Sequence, residues 1–123
     1  DPLVQRNAWF NIAILGAEVH EYLPYFYGTM TDAINAGDDS DRLLMAWSTA
    51  TDPDAAPRDG AAHLGQSGVT LIQTPDDIVA LRRTDPTEVV RWRSSTRSAL
   101  TQALASGSQI VGFTRDGDYV VSS

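Results

Sequence analysis

Cysteine is absent from the 123 residues, and with it go disulfides, thiolate nucleophiles and cysteine-ligated metals. Lysine is absent too: all nine cations are arginines, so no lysine Schiff base or lysine general base arises within the chain. His20 and His63 are the only histidines, and neither belongs to an H-x-x-x-H or H-E-x-x-H spacing, which argues against a metal site. No Gly-x-Ser-x-Gly elbow occurs, which argues against a serine hydrolase. Positive charge is scarce: the net charge of −7 suits neither nucleic acid nor an anionic membrane, whose binding is driven by neutralising phosphates. There is no apolar run of about 18 residues to span a bilayer, and no basic-then-apolar leader. The chain starts at Asp rather than Met, so the start reads as a processed or excised end. A cytoplasmic location is the expectation.

What remains suits a single domain over residues 1–123, with mixed helix and strand. Asp1-Pro2 offers a capping carboxylate and a first-turn proline. The apolar pattern Leu3, Val4, Ala8, Phe10, Ile12, Ile14, Leu15 predicts a helix that Gly16 ends. Its second half is apolar nearly all round, so more than one neighbour is expected to cover it. Glu18–Tyr27 reads as an aromatic-rich strand, and Arg42–Thr49 as a buried strand. Residues 51–68 hold two prolines, three glycines, four alanines and three aspartates, a flexible surface loop. Val69–Ile72 is a strand, Thr74-Pro75-Asp76-Asp77 opens a short helix to about Arg83, and Asp85-Pro86-Thr87-Glu88 opens a longer one. That helix carries the stripe Val89, Trp92, Thr96, Ala99, Leu100, Ala103, Leu104 and ends at Gly107. Gln109–Phe113 and Tyr119–Val121 flank Asp116-Gly117 as a β-hairpin. The class is α+β, with a mixed or antiparallel sheet, flanking helices and a C-terminal hairpin.

Few residues invite a chemical role. Asn7 and Asn11 share a helix face; Asn11 either satisfies a neighbouring backbone carbonyl or lines a cleft. Tyr25 and Tyr27 point to one side of their strand, as core, pocket wall or acid. Asp41-Arg42 is either a solvated charge pair at a turn, or places Arg42 at a strand mouth to clamp a carboxylate in bidentate fashion. Asp38, Asp39 and Asp41 lack the spaced oxygens and closing Glu of a calcium loop. Arg91, Arg93 and Arg97 give the long helix a basic flank, either a solvated face pairing with Asp or Glu, which is preferred, or a phosphate cradle formed by Arg93 and Arg97 four residues apart.

The segment Arg6-Asn7-Ala8-Trp9-Phe10-Asn11-Ile12-Ala13-Ile14-Leu15-Gly16-Ala17 resembles a helix in the C-terminal half of GNAT-superfamily N-acetyltransferases. Tyr22-Leu23-Pro24, Phe26-Tyr27-Gly28, Ala33–Arg42, Trp92-Arg93 and Thr96-Arg97 resemble, in order, later blocks of a largely uncharacterised subgroup. The resemblance runs to about Tyr119. It implies acetyl-coenzyme A as cofactor, with Arg6, Asn7 and Asn11 on the cofactor side, and an amine acceptor met by Tyr25, Tyr27, Asp41 and Arg42. In the family a tyrosine near the end of this helix protonates the departing thiolate; the corresponding positions here, Ile12 and Ala13, have no proton to give. The superfamily's pyrophosphate-gripping turn, Arg/Gln-x-x-Gly-x-Gly/Ala, has no counterpart either. The resemblance therefore implies a C-terminal half whose missing N-terminal half, or a second copy packed on helix 3–15, completes it. The alternative it leaves open is a catalytically degenerate scaffold that binds small molecules or partners.

Overall fold

The computed structural model describes residues 1–24, 41–47 and 59–123. The first segment departs from a plain α-helix. Asp1 Oδ1 accepts from the Leu3 backbone N–H at 2.9 Å in a tight turn, and α1 (Gln5–Ala8) follows with Val4 at its N-cap. The chain then widens into a π-helical stretch, Trp9–Ile14. Its cause is local: the Asn11 side-chain amide donates to Asn7 O at 2.9 Å, the acceptor that the Asn11 backbone N–H would take in an α-helix. The backbone bonds lengthen accordingly, with Leu15 N–H reaching Phe10 O and Ala17 N–H reaching Asn11 O. Gly16, at φ 68°, stops the segment as expected.

Two antiparallel sheets follow. β1 (Glu18–Leu23) pairs with β2 (Arg42–Ala46). β3 (Val69–Gln73), β4 (Gln109–Phe113) and β5 (Asp118–Ser122) form the second sheet in the order β3-β5-β4. β2 is not the buried strand expected: Leu44 and the adjoining Trp47 are about half exposed, at 49% and 58%. Of the 51–68 loop, residues 59–68 are described; they hold a 3₁₀ turn (Gly60–His63) anchored by a parallel bridge from Asp59 to Phe113. The hairpin forms as expected, with Gly117 at φ 96° in its turn, a conformation that costs a side-chain-bearing residue strain.

Two helices complete the chain. α2 (Ile78–Thr84) is capped by Asp77 rather than Thr74; the Thr74 hydroxyl instead donates to Gly117 O at 2.6 Å and ties the hairpin turn to β3. α3 (Pro86–Ala105) starts as the sequence implies, with the Asp85 carboxylate accepting from Glu88 N–H and Pro86 in the first turn. It packs against β1, β3 and β4, so it spans both sheets. The main core gathers Ala8, Ile12, Tyr22, Leu100, Ile110, Phe113, Tyr119 and Val121. Phe113 and Tyr119 meet edge-to-face at 4.9 Å, a geometry that adds about 1 kcal/mol beyond area burial. A smaller cluster, Leu3, Ile78 and Val89, holds the first turn against α2 and α3.

Candidate functional site

Two carboxylates sit at the junction of the first segment, β2 and α3. Asp41, just ahead of β2, is fully buried. It accepts two hydrogen bonds from Arg97, Nε to Oδ2 at 2.8 Å and Nη2 to Oδ1 at 2.9 Å, and a third from the Tyr22 hydroxyl. Asp1 accepts a bidentate pair from Arg93 at 2.6 and 2.9 Å and a further bond from Arg82 at 2.7 Å. Arg93 and Arg97 lie one turn apart on α3, so one helix face grips both carboxylates. Beside them the Tyr119 hydroxyl donates to Pro2 O. This corrects the reading of Arg91, Arg93 and Arg97 as a solvated flank. Arg91 is exposed, but Arg93 is 1% exposed, and the Arg97 side chain is 22% exposed against a fully buried partner. Burying such charges is favourable only when each is paired and its hydrogen bonds are filled, which this geometry achieves for Asp41.

The node changes the local acid–base chemistry. Burial, then the hydrogen bond to and the charge of Asp41, push the Tyr22 phenol above its ordinary value. Burial and the nearby Tyr22 do the same to Tyr119. Both phenols therefore stay protonated well into the alkaline range, and neither can serve as a base near neutral pH. Asp41 is likewise sealed from solvent, so its part in any site is to position others.

Arg42 follows directly in β2. Its Nη1 donates to Asp41 O at 2.7 Å, which anchors the guanidinium near the node. Arg42 lines a pocket of about 370 Å³ together with Asp1, Asn7, Asn11, Met45 and Tyr119. Three residues singled out in the sequence thus converge: Asn7 and Asn11 from the first segment, Arg42 from β2. Asn11 satisfies a neighbouring carbonyl, as the simpler reading had it, and still borders the pocket. Arg6 does not line it and is exposed. Tyr25 and Tyr27 lie outside the described residues. Ile12 and Ala13 are buried in the apolar core.

The histidines lie elsewhere. His20, on β1, is 3.7 Å from Glu18 with both side chains exposed; His63, in the 3₁₀ turn, is 3.4 Å from Gln66. Among the described residues no three histidines or acids are grouped to hold a metal, and no helix is long and apolar enough to cross a membrane.

The two carboxylate–arginine nodes escaped the sequence reading, although one signal was there. Val89, Arg93, Thr96 and Leu100 recur at helical spacing, so Arg93 falls in the middle of the buried stripe. A cation on an apolar stripe implies a buried anion to meet it. Comparison with protein-family models, with curated proteins and with solved structures gives no match to this chain.

Proposed function

We propose that this chain forms the acceptor-facing part of a GNAT-like, acyl-coenzyme A-dependent N-acetyltransferase of the cytoplasm. The observation that carries the reading is the convergence of Asn7, Asn11 and Arg42 on one pocket, with Arg42 held by the backbone carbonyl of the buried Asp41. In this reading Arg42 engages an anionic or carbonyl oxygen of the acceptor, and the two asparagines border the cofactor. The donor's pyrophosphate is gripped by a turn supplied from a missing N-terminal half or another copy, which also covers Phe10, 51% exposed on the π segment. The acceptor amine attacks the thioester carbonyl, the C–N bond forms, the C–S bond breaks, and the amine proton passes to water. Catalysis then rests on positioning, and the thiolate leaves without a protein acid.

Ile12 and Ala13 favour a second reading, in which the scaffold binds acyl-coenzyme A or a partner without turnover. Assay of the complete gene product with acetyl-coenzyme A and a panel of amines separates the two. The enzyme reading expects turnover, with Arg42→Ala raising the acceptor KM about tenfold, the size of one lost charged hydrogen bond. Cofactor binding with no turnover of any amine supports the scaffold.

A further inference from the structure

A second and larger recess, a cleft of about 1050 Å³, opens between β1 and β4 and, among the described residues, shares no lining residue with the Arg42 pocket. Three backbone irregularities meet at it. The pairing of β1 with β2 skips at His20, and that of β4 with β5 skips at Val111; both residues line the cleft. Such bulges re-aim side chains and are over-represented beside binding sites. The π segment contributes Ile12, and its end contributes Ala17. The remaining wall, the 3₁₀ turn, is seated by glycines. A Cβ on Gly60 would lie 2.8 Å from Val120 Cγ2 and 2.9 Å from Phe113 N, and one on Gly112 would lie 3.0 Å from Gly60 Cα. That close approach brings Asp59 and His63 to the cleft.

The lining has an apolar floor and an acceptor-rich rim. Ile12, Val19, Leu104 and Ile110 are apolar; Glu18, His20, Asp59, His63, Ser108 and Gln109 edge them, and no arginine is among the described residues that line the cleft. Carboxylates only accept hydrogen bonds, and each neutral imidazole offers one acceptor. Arg115, a largely exposed side chain, lies 3.5 Å from Asp59. The cleft thus joins an apolar floor to a strongly polar rim, so a ligand that suits it carries both an apolar body and a hydrogen-bonding head.

We infer that this cleft binds a small organic cation, an amine carried on an apolar body. The inference stands apart from the acyl-transfer reading, because it concerns a different recess and needs no cofactor. The test is a ¹H–¹⁵N NMR titration of the complete gene product, without acetyl-coenzyme A, using phenethylamine as probe. 3-Phenylpropionate and 2-phenylethanol serve as anionic and neutral probes of similar shape. Phenethylamine is expected to shift the amides of His20, Ala61 and Val111 with a dissociation constant in the millimolar range, and the alcohol to bind about tenfold more weakly. The acid should leave the cleft unmoved. Ala62→Trp, which fills the cleft from an exposed rim position, should abolish the shifts, and Glu18→Gln, at an exposed carboxylate, should weaken them about fivefold. The inference is overturned if no cleft amide moves, if either control probe binds as well as the amine, or if binding survives Ala62→Trp.

Discussion

Within α3, Val89, Arg93, Thr96 and Leu100 follow one another at steps of four, three and four residues, and all are at most 2% exposed. Two of the four are polar, and their situations differ. Arg93 meets Asp1 through two bonds, whereas Thr96 Oγ1 is buried with no hydrogen-bond partner among the described residues. An unsatisfied buried hydroxyl costs energy that an isosteric methyl does not. Thr96→Val is therefore expected to leave stability unchanged or raise it by about 1 kcal/mol in urea unfolding. Asp41→Asn works in the opposite sense. It removes the anion from Arg97 and leaves a half-buried guanidinium facing a neutral amide, so a loss of about 3 kcal/mol is expected in the same measurement. Alkaline pH reads the node from the phenol side. Tyr22 and Tyr119 titrate above the ordinary value of 10.0 in the folded chain, so the folded state holds protons that the unfolded state has released. Their contribution is complete below pH 10 and is lost as the pH climbs past it, each residue adding a slope of up to about 1.4 kcal/mol per pH unit. Unfolding measured from about pH 9 to about pH 11 should show this fall, and Tyr22→Phe should flatten it.

Most elements were legible because their punctuation is local. The Asp85-Pro86 start of α3, the Gly16 stop and the Asp116-Gly117 hairpin each depend on a few neighbouring residues. The misread elements are those where a side chain competes with the backbone or a distant contact intervenes. Asn11 takes the Asn7 carbonyl and widens a helix that apolar spacing alone reads as α. Thr74 looks like a cap but serves the hairpin turn 43 positions away. Composition marked residues 51–68 as plain loop because glycine and alanine carry no pattern, yet the 3₁₀ turn within it depends on that smallness. Gly60→Ala should place a methyl against Val120 and the Phe113 backbone and cost about 2 kcal/mol in thermal unfolding. Gly107→Ala, at φ 85° with open space around it, should cost only the backbone strain, about 1 kcal/mol.

At the scale of the whole molecule, α3 ties two small sheets together through one buried face that carries both apolar core residues and the arginines of the two carboxylate nodes. The α+β class followed from the alternation of helix and strand patterns. The β3-β5-β4 order did not, because strand periodicity says which face is buried and not which distant strand is the partner. The pocket was half legible for the same reason. Asn7 and Asn11 share a face by spacing, whereas their meeting with Arg42 depends on β2 lying against the first segment. Isothermal titration of acetyl-coenzyme A into the complete gene product and its Asn11→Ala and Arg42→Ala variants, each verified folded by circular dichroism, is the sharpest check on that meeting point. Binding near the micromolar range, weakened about tenfold by Asn11→Ala and little changed by the acceptor-side Arg42→Ala, is the expected result. No binding heat from the unaltered protein, or an affinity indifferent to Asn11, would contradict the assignment of this pocket to acyl transfer.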